Sequence, residues 1–187
     1  MPTLDARSSA LILIDLQEGV LGRQLAPRSA DEVFATGRAL AEQFRAAGAP
    51  VVLVRVEWAA DFADAPPANV DEPLRAPGGL PAGWSELRAG LAVPGDIHIV
   101  KRQWGAFHGT ELDLQLRRRG VRTVVVGGVA TNFGVESTVR AAWEHGYDAV
   151  VPEDACTSMA AELHDFSVKR IFPRIARVTR SAEIALA

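Results

Sequence analysis

Cysteine and tyrosine are almost missing from this chain, one of each in 187 residues, and aromatic residues make up only 6% of it. A lone thiol, Cys156, cannot close an internal disulfide, so nothing in the fold depends on an oxidising compartment. Long apolar runs are absent too: the stretches from Ala10 to Ile14 and from Val124 to Val126 are far too short to cross a bilayer. No large excess of either charge is present. Twenty Lys and Arg face 23 Asp and Glu, giving a net charge of -3, and the longest basic block is Arg117-Arg118-Arg119. That pattern offers no grip on a phosphate backbone, so neither nucleic acid nor a membrane is an expected partner. The opening MPTLDARSSA lacks the basic-then-apolar pattern of a secretory signal, and a cytoplasmic protein is expected. What the chain does have is apolar substance: 48% hydrophobic and 23% charged residues suffice for one sizeable core, read as a single domain over residues 1–187.

Short β-branched runs alternate with longer stretches of helical period, the pattern of βαβ units around a parallel sheet covered on both faces. The fold class is therefore α/β, a three-layer α/β/α arrangement of Rossmann-like kind. Strands are expected at residues 10–15, 51–56, 97–100, 123–127, 149–151 and 176–178. Helices are expected at 31–47, behind a Ser29/Glu32 capping box and ahead of Gly48, then at 110–119 opened by Thr110 with Asp113, at 132–145 and at 162–171. Ser181 is expected to cap a short last one. Residues 58–94 break this rhythm, carrying Pro66, Pro67, Pro73, Pro77, Pro81 and Pro94 with Gly78, Gly79, Gly83 and Gly90. So long an irregular stretch, holding Trp58, Phe62 and Trp84, reads as a lid or binding loop; an ordered flap without a ligand role is the plainer alternative.

Three polar signals fall just past expected strand ends, where open parallel sheets place their sites. Asp15 ends Leu-Ile-Leu-Ile-Asp-Leu-Gln, Lys101 follows Ile-His-Ile-Val, and Gly127-Gly128-Val-Ala-Thr-Asn runs straight into Phe-Gly-Val-Glu-Ser-Thr. A carboxylate between Ile14 and Leu16 has its pKa raised by desolvation and lowered by a nearby ammonium. On spacing alone, a salt-bridged or helix-capping Asp15 is as good a reading as a catalytic one. The Gly-Gly-Val-Ala-Thr-Asn turn leads into a helix N-terminus, whose free N–H groups favour negative charge. It matches no phosphate loop.

These segments, with Val-Lys-Arg-Gln-Trp-Gly-Ala-Phe-His-Gly-Thr-Glu-Leu-Asp and Glu-Asp-Ala-Cys, resemble the isochorismatase-like (cysteine hydrolase) family in order and over nearly the whole chain. The resemblance implies a six-stranded parallel sheet between helices and a site where Asp, Lys and Cys cooperate. Asp15 and Lys101 take the first two places. Gly134 stands where the family's usual T-N-x-C-V-E-S-T run has cysteine, and a glycine cannot form a thioester. Cys156, in Glu-Asp-Ala-Cys, is better read as a small buried hydrophobe. The family likeness also implies a cis peptide between Val129 and Ala130, and the N–H groups of Ala130 and Gly134 as anion-stabilising donors. The nicotinamidase branch holds a metal with an Asp-x-His pair after its second strand. Here that stretch is Arg55-Val56-Glu57-Trp58-Ala59, so no metal and no cofactor are expected.

His98, His108, His145 and His164 are read as structural or surface residues. Trp58, Trp104, Phe107 and Phe133 are expected to line an aromatic pocket for a small planar acid or amide. Arg55 and Arg102 serve either a substrate carboxylate or structural ion pairs. The expected function is metal-independent hydrolysis of a small molecule, with Asp15 moving a proton, Lys101 as its electrostatic partner and Gly134 in place of the nucleophile. An amidase acting through an activated water, and a non-catalytic ligand-binding or scaffold protein, are the alternatives. A homo-oligomer, dimer or tetramer, is expected.

Overall fold

The computed structural model describes residues 3–73 and 79–187; Pro77 and Gly78 of the expected lid lie outside them. In chain order the strands are β1 (Thr3–Leu4), β2 (Ser9–Ile14), β3 (Val51–Val56), β4 (Ile97–Lys101), β5 (Thr123–Val129), β6 (Asp148–Pro152), β7 (Cys156–Thr157), β8 (Arg177–Thr179) and β9 (Ala185–Leu186). The helices are α1 (Glu18–Leu21), α2 (Ala30–Ala46), α3 (Leu112–Arg118), α4 (Glu136–Glu144) and α5 (Ala161–Phe166). The main sheet runs β4-β3-β2-β5-β6-β8 with every pair parallel, and β1 pairs with β9 in a separate two-stranded sheet.

Alternation along the strands builds the three layers, because successive side chains point to opposite faces. β2 is buried along its whole length. Its Leu11 and Leu13 join Val33, Leu40 and Phe44 of α2 in one core, whereas Ala10, Ile12 and Ile14 join Leu112 and Leu116 of α3 and Val139 of α4 in the other. Each such side chain contributes about 1.5–3 kcal/mol by leaving water. A parallel sheet covered on both faces needs near-continuous apolar strands, which is what the sequence pattern signalled.

Among the described residues the sheet has seven strands instead of the expected six. β5 pairs with β6 only over Thr123, Val124 and Val125, so its far end would otherwise lack a partner on that side. Cys156 and Thr157 supply one, against Gly128 and Val129. Backbone groups buried at that depth must be paired.

The helices differ in their ends. The Ser29/Glu32 capping box forms as expected and opens α2. Thr110 stands one residue before the N-cap Glu111 of α3 and accepts the Leu112 N–H at 3.1 Å, but Asp113 closes no box; it accepts the Tyr147 hydroxyl at 2.7 Å instead. The expected helix 132–145 is split: Thr131–Val135 is a π turn, in which the Ala130 carbonyl accepts from Val135 at 3.1 Å, and only then does α4 begin. Likewise α5 gives way to a second π turn, Ser167–Ile171. Ser181 heads a single 3-10 turn rather than capping a helix, because its N–H and hydroxyl both donate to Asp154, at 2.7 and 2.6 Å. The described part of 58–94 forms turns and bends without a strand or helix, as expected.

β2 runs out to β3 and β4 on one side, and the chain then returns to β5 on its other side. The carboxyl ends of β2 and β5 therefore flank a topological switch point, the usual crevice for a ligand. Close approach of those two strands requires Gly128. At φ +122, a Cβ there would lie 2.1 Å from the Ile14 carbonyl oxygen. Gly128→Ala is expected to destabilise the fold by about 3 kcal/mol or more, from the unfavourable φ plus overpacking, read as a lowered denaturant midpoint.

Candidate active site

Asp15 leaves β2 in left-handed backbone, φ 51, with its N–H donating to Val54 at 2.9 Å. Such a conformation costs about 1–3 kcal/mol for a residue with a side chain, and Asp is among the few that adopt it readily. Lys101 ends β4, two strands away. Its long side chain passes the end of β3, where Val56 is its register partner, and donates to Asp15 Oδ2 at 2.7 Å and to the Gln103 carbonyl at 3.2 Å. Both groups are out of water, 6% and 2% exposed. Among the described residues Asp15 Oδ1 has no hydrogen-bond partner.

Burial pushes the Asp15 carboxyl up to about 6, against the opposing pull of the Lys101 ammonium. Desolvation thus outweighs attraction here, and the group is poised close to neutrality.

Gly134 belongs to the same place. A Cβ on it would lie 3.4 Å from Asp15 Oδ2, 2.9 Å from the Ile14 side chain and 3.5 Å from the Trp104 carbonyl oxygen. Asp15, Lys101 and the Gly134 backbone therefore meet at one point, as expected. The peptide between Val129 and Ala130 is cis, also as expected.

Two supports of this point were not singled out in the sequence. Gln17, wholly buried, donates to the Val56 and Trp84 carbonyls and accepts the Val56 N–H at 2.8 Å, so it fixes the strand end that Lys101 crosses. On the other side, His164 is 2% exposed and its Nδ1 lies 2.8 Å from the Thr131 hydroxyl. Its Nε2 faces Arg28 at 3.3 Å, and Arg28 pairs with Glu153 at 2.5 Å. Because a guanidinium only donates, Nε2 must accept, leaving Nδ1–H to donate to Thr131. Burial and the Arg28 charge hold the His164 pKa below its usual value, in keeping with a neutral ring. The signal was present only as a lone histidine on an expected helix. His98, His108 and His145 are exposed.

The remaining named residues divide. Trp58 donates its indole N–H to the Arg102 carbonyl at 2.6 Å and stacks on Trp84, while Trp104 packs on Phe133 with ring centres 4.6 Å apart. Trp58 and Trp104 line a cavity of about 510 Å³ with residues 62–72 of the expected lid, whereas Phe133, expected on the same wall, packs behind Trp104 against the core and does not line it. Phe107 does not join them: it is buried in the core against Tyr147, with His145 stacked on it at 5.2 Å, so the structure places it among packing residues. Of the two readings of the arginines, ion pairs are what form. Arg55 binds Glu57 at 2.8 Å and Arg102 binds Asp64 at 2.5 Å. Cys156 is wholly buried with its thiol pushed up to about 12, the protonated and unreactive state.

Among the described residues no group of three or more His, Cys, Asp or Glu could hold a metal ion. The stretch after β3 that the nicotinamidase branch uses does not fit one, since Glu57 is paired with Arg55 and Trp58 offers no ligand atom.

Residues 9–183 match the isochorismatase domain model. The chain is 52% identical over 185 residues to an uncharacterized isochorismatase family protein of Escherichia coli O157:H7, YecD, spanning 98% of each. It is 35% identical to the ureidoacrylate amidohydrolase RutB of Variovorax paradoxus over 81% of this chain and 69% of that one. An isochorismatase family structure from Burkholderia thailandensis superposes with a TM-score of 0.92 at 40% identity, covering 98% of this chain and 96% of its own. This chain therefore belongs to the isochorismatase family and is a hydrolase.

Replacing Lys101 by Met tests the electrostatics. An Asp15 raised above the ordinary 3.8 makes its full contribution to stability below that value and loses it as pH rises toward its folded pKa. Without the ammonium the folded pKa should move above 6, extending the loss upward. Lys101→Met is expected to cost about 3–5 kcal/mol at pH 8, the range for breaking a buried pair, and distinctly less at pH 5. Urea unfolding at the two pH values checks it; an equal loss at both would contradict the assignment.

Proposed function

We propose that this protein hydrolyses a small-molecule amide or related acyl compound without a metal and without a covalent cysteine intermediate, using Asp15 to move the proton. The observation that carries the reading is the free Oδ1 of a buried carboxyl whose other oxygen is held by Lys101. With a pKa of about 6, Asp15 is mostly ionised at neutral pH, and Oδ1 is the acceptor left to take a proton from water. Lys101 fixes the carboxylate through Oδ2 and balances its charge. As the water oxygen adds to the carbonyl carbon, its proton passes to Oδ1. The oxyanion takes hydrogen bonds from the Ala130 and Gly134 N–H groups at the head of the π turn. Collapse of the tetrahedral intermediate returns the proton from Asp15 to the leaving group.

Gly134 enters this mechanism through what it omits. It stands at the position of the family's cysteine and brings no thiol against Asp15 Oδ2, so the nucleophile in this reading is a water taken up at Oδ1. The likeness to an amidohydrolase supports acyl-transfer chemistry. Protonation of an enol ether, the isochorismatase route, would need the opposite protonation state of Asp15.

Asp15→Asn is expected to lower turnover at least a thousandfold in a screen of small amides, ureides and vinyl ethers, because an amide side chain can neither accept nor return the proton. Thiol reagents should leave wild-type turnover unchanged. Gly134→Cys, by contrast, should become sensitive to them, its sulfur lying beside Asp15 and Lys101 at a helix start that lowers a thiol pKa. Full activity in Asp15→Asn would refute the proposal.

A further inference from the structure

The cavity beneath the lid carries information about the substrate. Its walls are Trp58, Phe62, Pro66, Pro67, Val70 and Trp104, with Glu72 as the sole ionisable side chain among the described residues that line it. Glu72 is exposed, so it sits at the rim. Of the cations near it in sequence, Arg55 is committed to Glu57, Arg102 to Asp64 and Lys101 to Asp15, and Arg75 lies outside the described residues. Among the described residues Arg102 Nη1 is buried without a partner, yet Arg102 is not on the cavity wall.

Gln103 and Trp104 connect this cavity to the site, although Asp15, Lys101 and Gly134 do not line it. Gln103 and Trp104 line it, and the same two residues present their carbonyls to Lys101 Nζ and to the space beside Gly134. The Trp104 ring rests on Phe133, the residue before Gly134. The cavity and the carboxylate thus share Gln103 and Trp104 as neighbours.

Resting on the hydrolase reading above, we infer that the cavity between Trp58 and Trp104 holds an uncharged apolar group of the substrate, aromatic or branched alkyl, and rejects a carboxylate there. Among the described residues no cation lines these walls to compensate a desolvated anion, and Glu72 adds repulsion at the entrance. An uncharged ring, in contrast, finds aromatic and proline surface to pack against. The size is that of an ordinary small-molecule site.

The test uses phenylacetamide and phenylacetate, which share a shape and differ in charge, titrated into the whole protein at pH 7.5 with ligand-observed NMR. The amide is expected to bind at least tenfold more tightly than the carboxylate. Ala68→Trp, which fills the cavity from the side of residues 58–72, should weaken the amide at least tenfold. Equal or tighter binding of phenylacetate, binding unaltered by Ala68→Trp, or no binding of either probe overturns the inference. Hydrolysis surviving in Asp15→Asn together with selective binding of the amide would instead sink the proposed chemistry and leave the cavity assignment standing.

Discussion

The buried pair of Asp15 and Lys101 is the constraint around which the rest is arranged. Two opposite charges 2.7 Å apart and almost sealed from water lose several kcal/mol each in hydration, which their attraction offsets only with near-ideal geometry. A fold kept for stability alone would do as well with apolar residues at both positions. The sheet order supplies the geometry: β2 and β4 are separated by β3, and Gln17 pins the end of β3 at Val56 so that the Lys101 side chain can pass it. The left-handed backbone at Asp15 belongs to the same design, since it takes the carboxyl out of strand alternation at the point where the chain leaves the sheet.

A second buried polar network steadies the opposite wall. His164, held by the Arg28–Glu153 pair, donates to Thr131, the first residue of the π turn, and Ser158 donates to Asn132, the second. These partners come from the segment before α2, from the turn after β6, from the residue after β7 and from α5, so four places in the chain fix one backbone turn. Fully satisfied networks of this kind favour a single arrangement over several, because any alternative leaves a buried donor or acceptor unpaired. Gly134 owes its position beside Asp15 to that turn.

The layers and the six expected strands were legible in the local pattern, and the strand-end rule marked Asp15 and Lys101 without showing that they meet, which only the family likeness implied. Family likeness added Gly134 and the cis peptide, which no pattern of apolar residues would have indicated. Other features were hidden for physical reasons. The π turns arise where the Ala130 carbonyl reaches Val135, a choice that tertiary packing makes and helical periodicity does not reveal. The seventh strand follows from the short pairing of β6 with β5, a matter of register. Phe107 sits next to site residues in sequence and packs away from the site, since neighbours on a loop need not share a face. Arg55 and Arg102 could not be assigned until Glu57 and Asp64 were seen against them.

The claim on which the account turns is that a carboxyl of pKa about 6, held by Lys101, is the group whose ionisation governs the chemistry. The direct measurement follows the Asp15 side-chain carbon by 13C NMR across pH 4.5 to about 8, beside the pH dependence of kcat/KM on the substrate found by screening. The account predicts that the carboxyl titrates near 6 and that the rate rises with pH along the same curve, the mark of a base that must be ionised. A rate that falls as Asp15 ionises, or a carboxyl already fully ionised at pH 4.5, would contradict it.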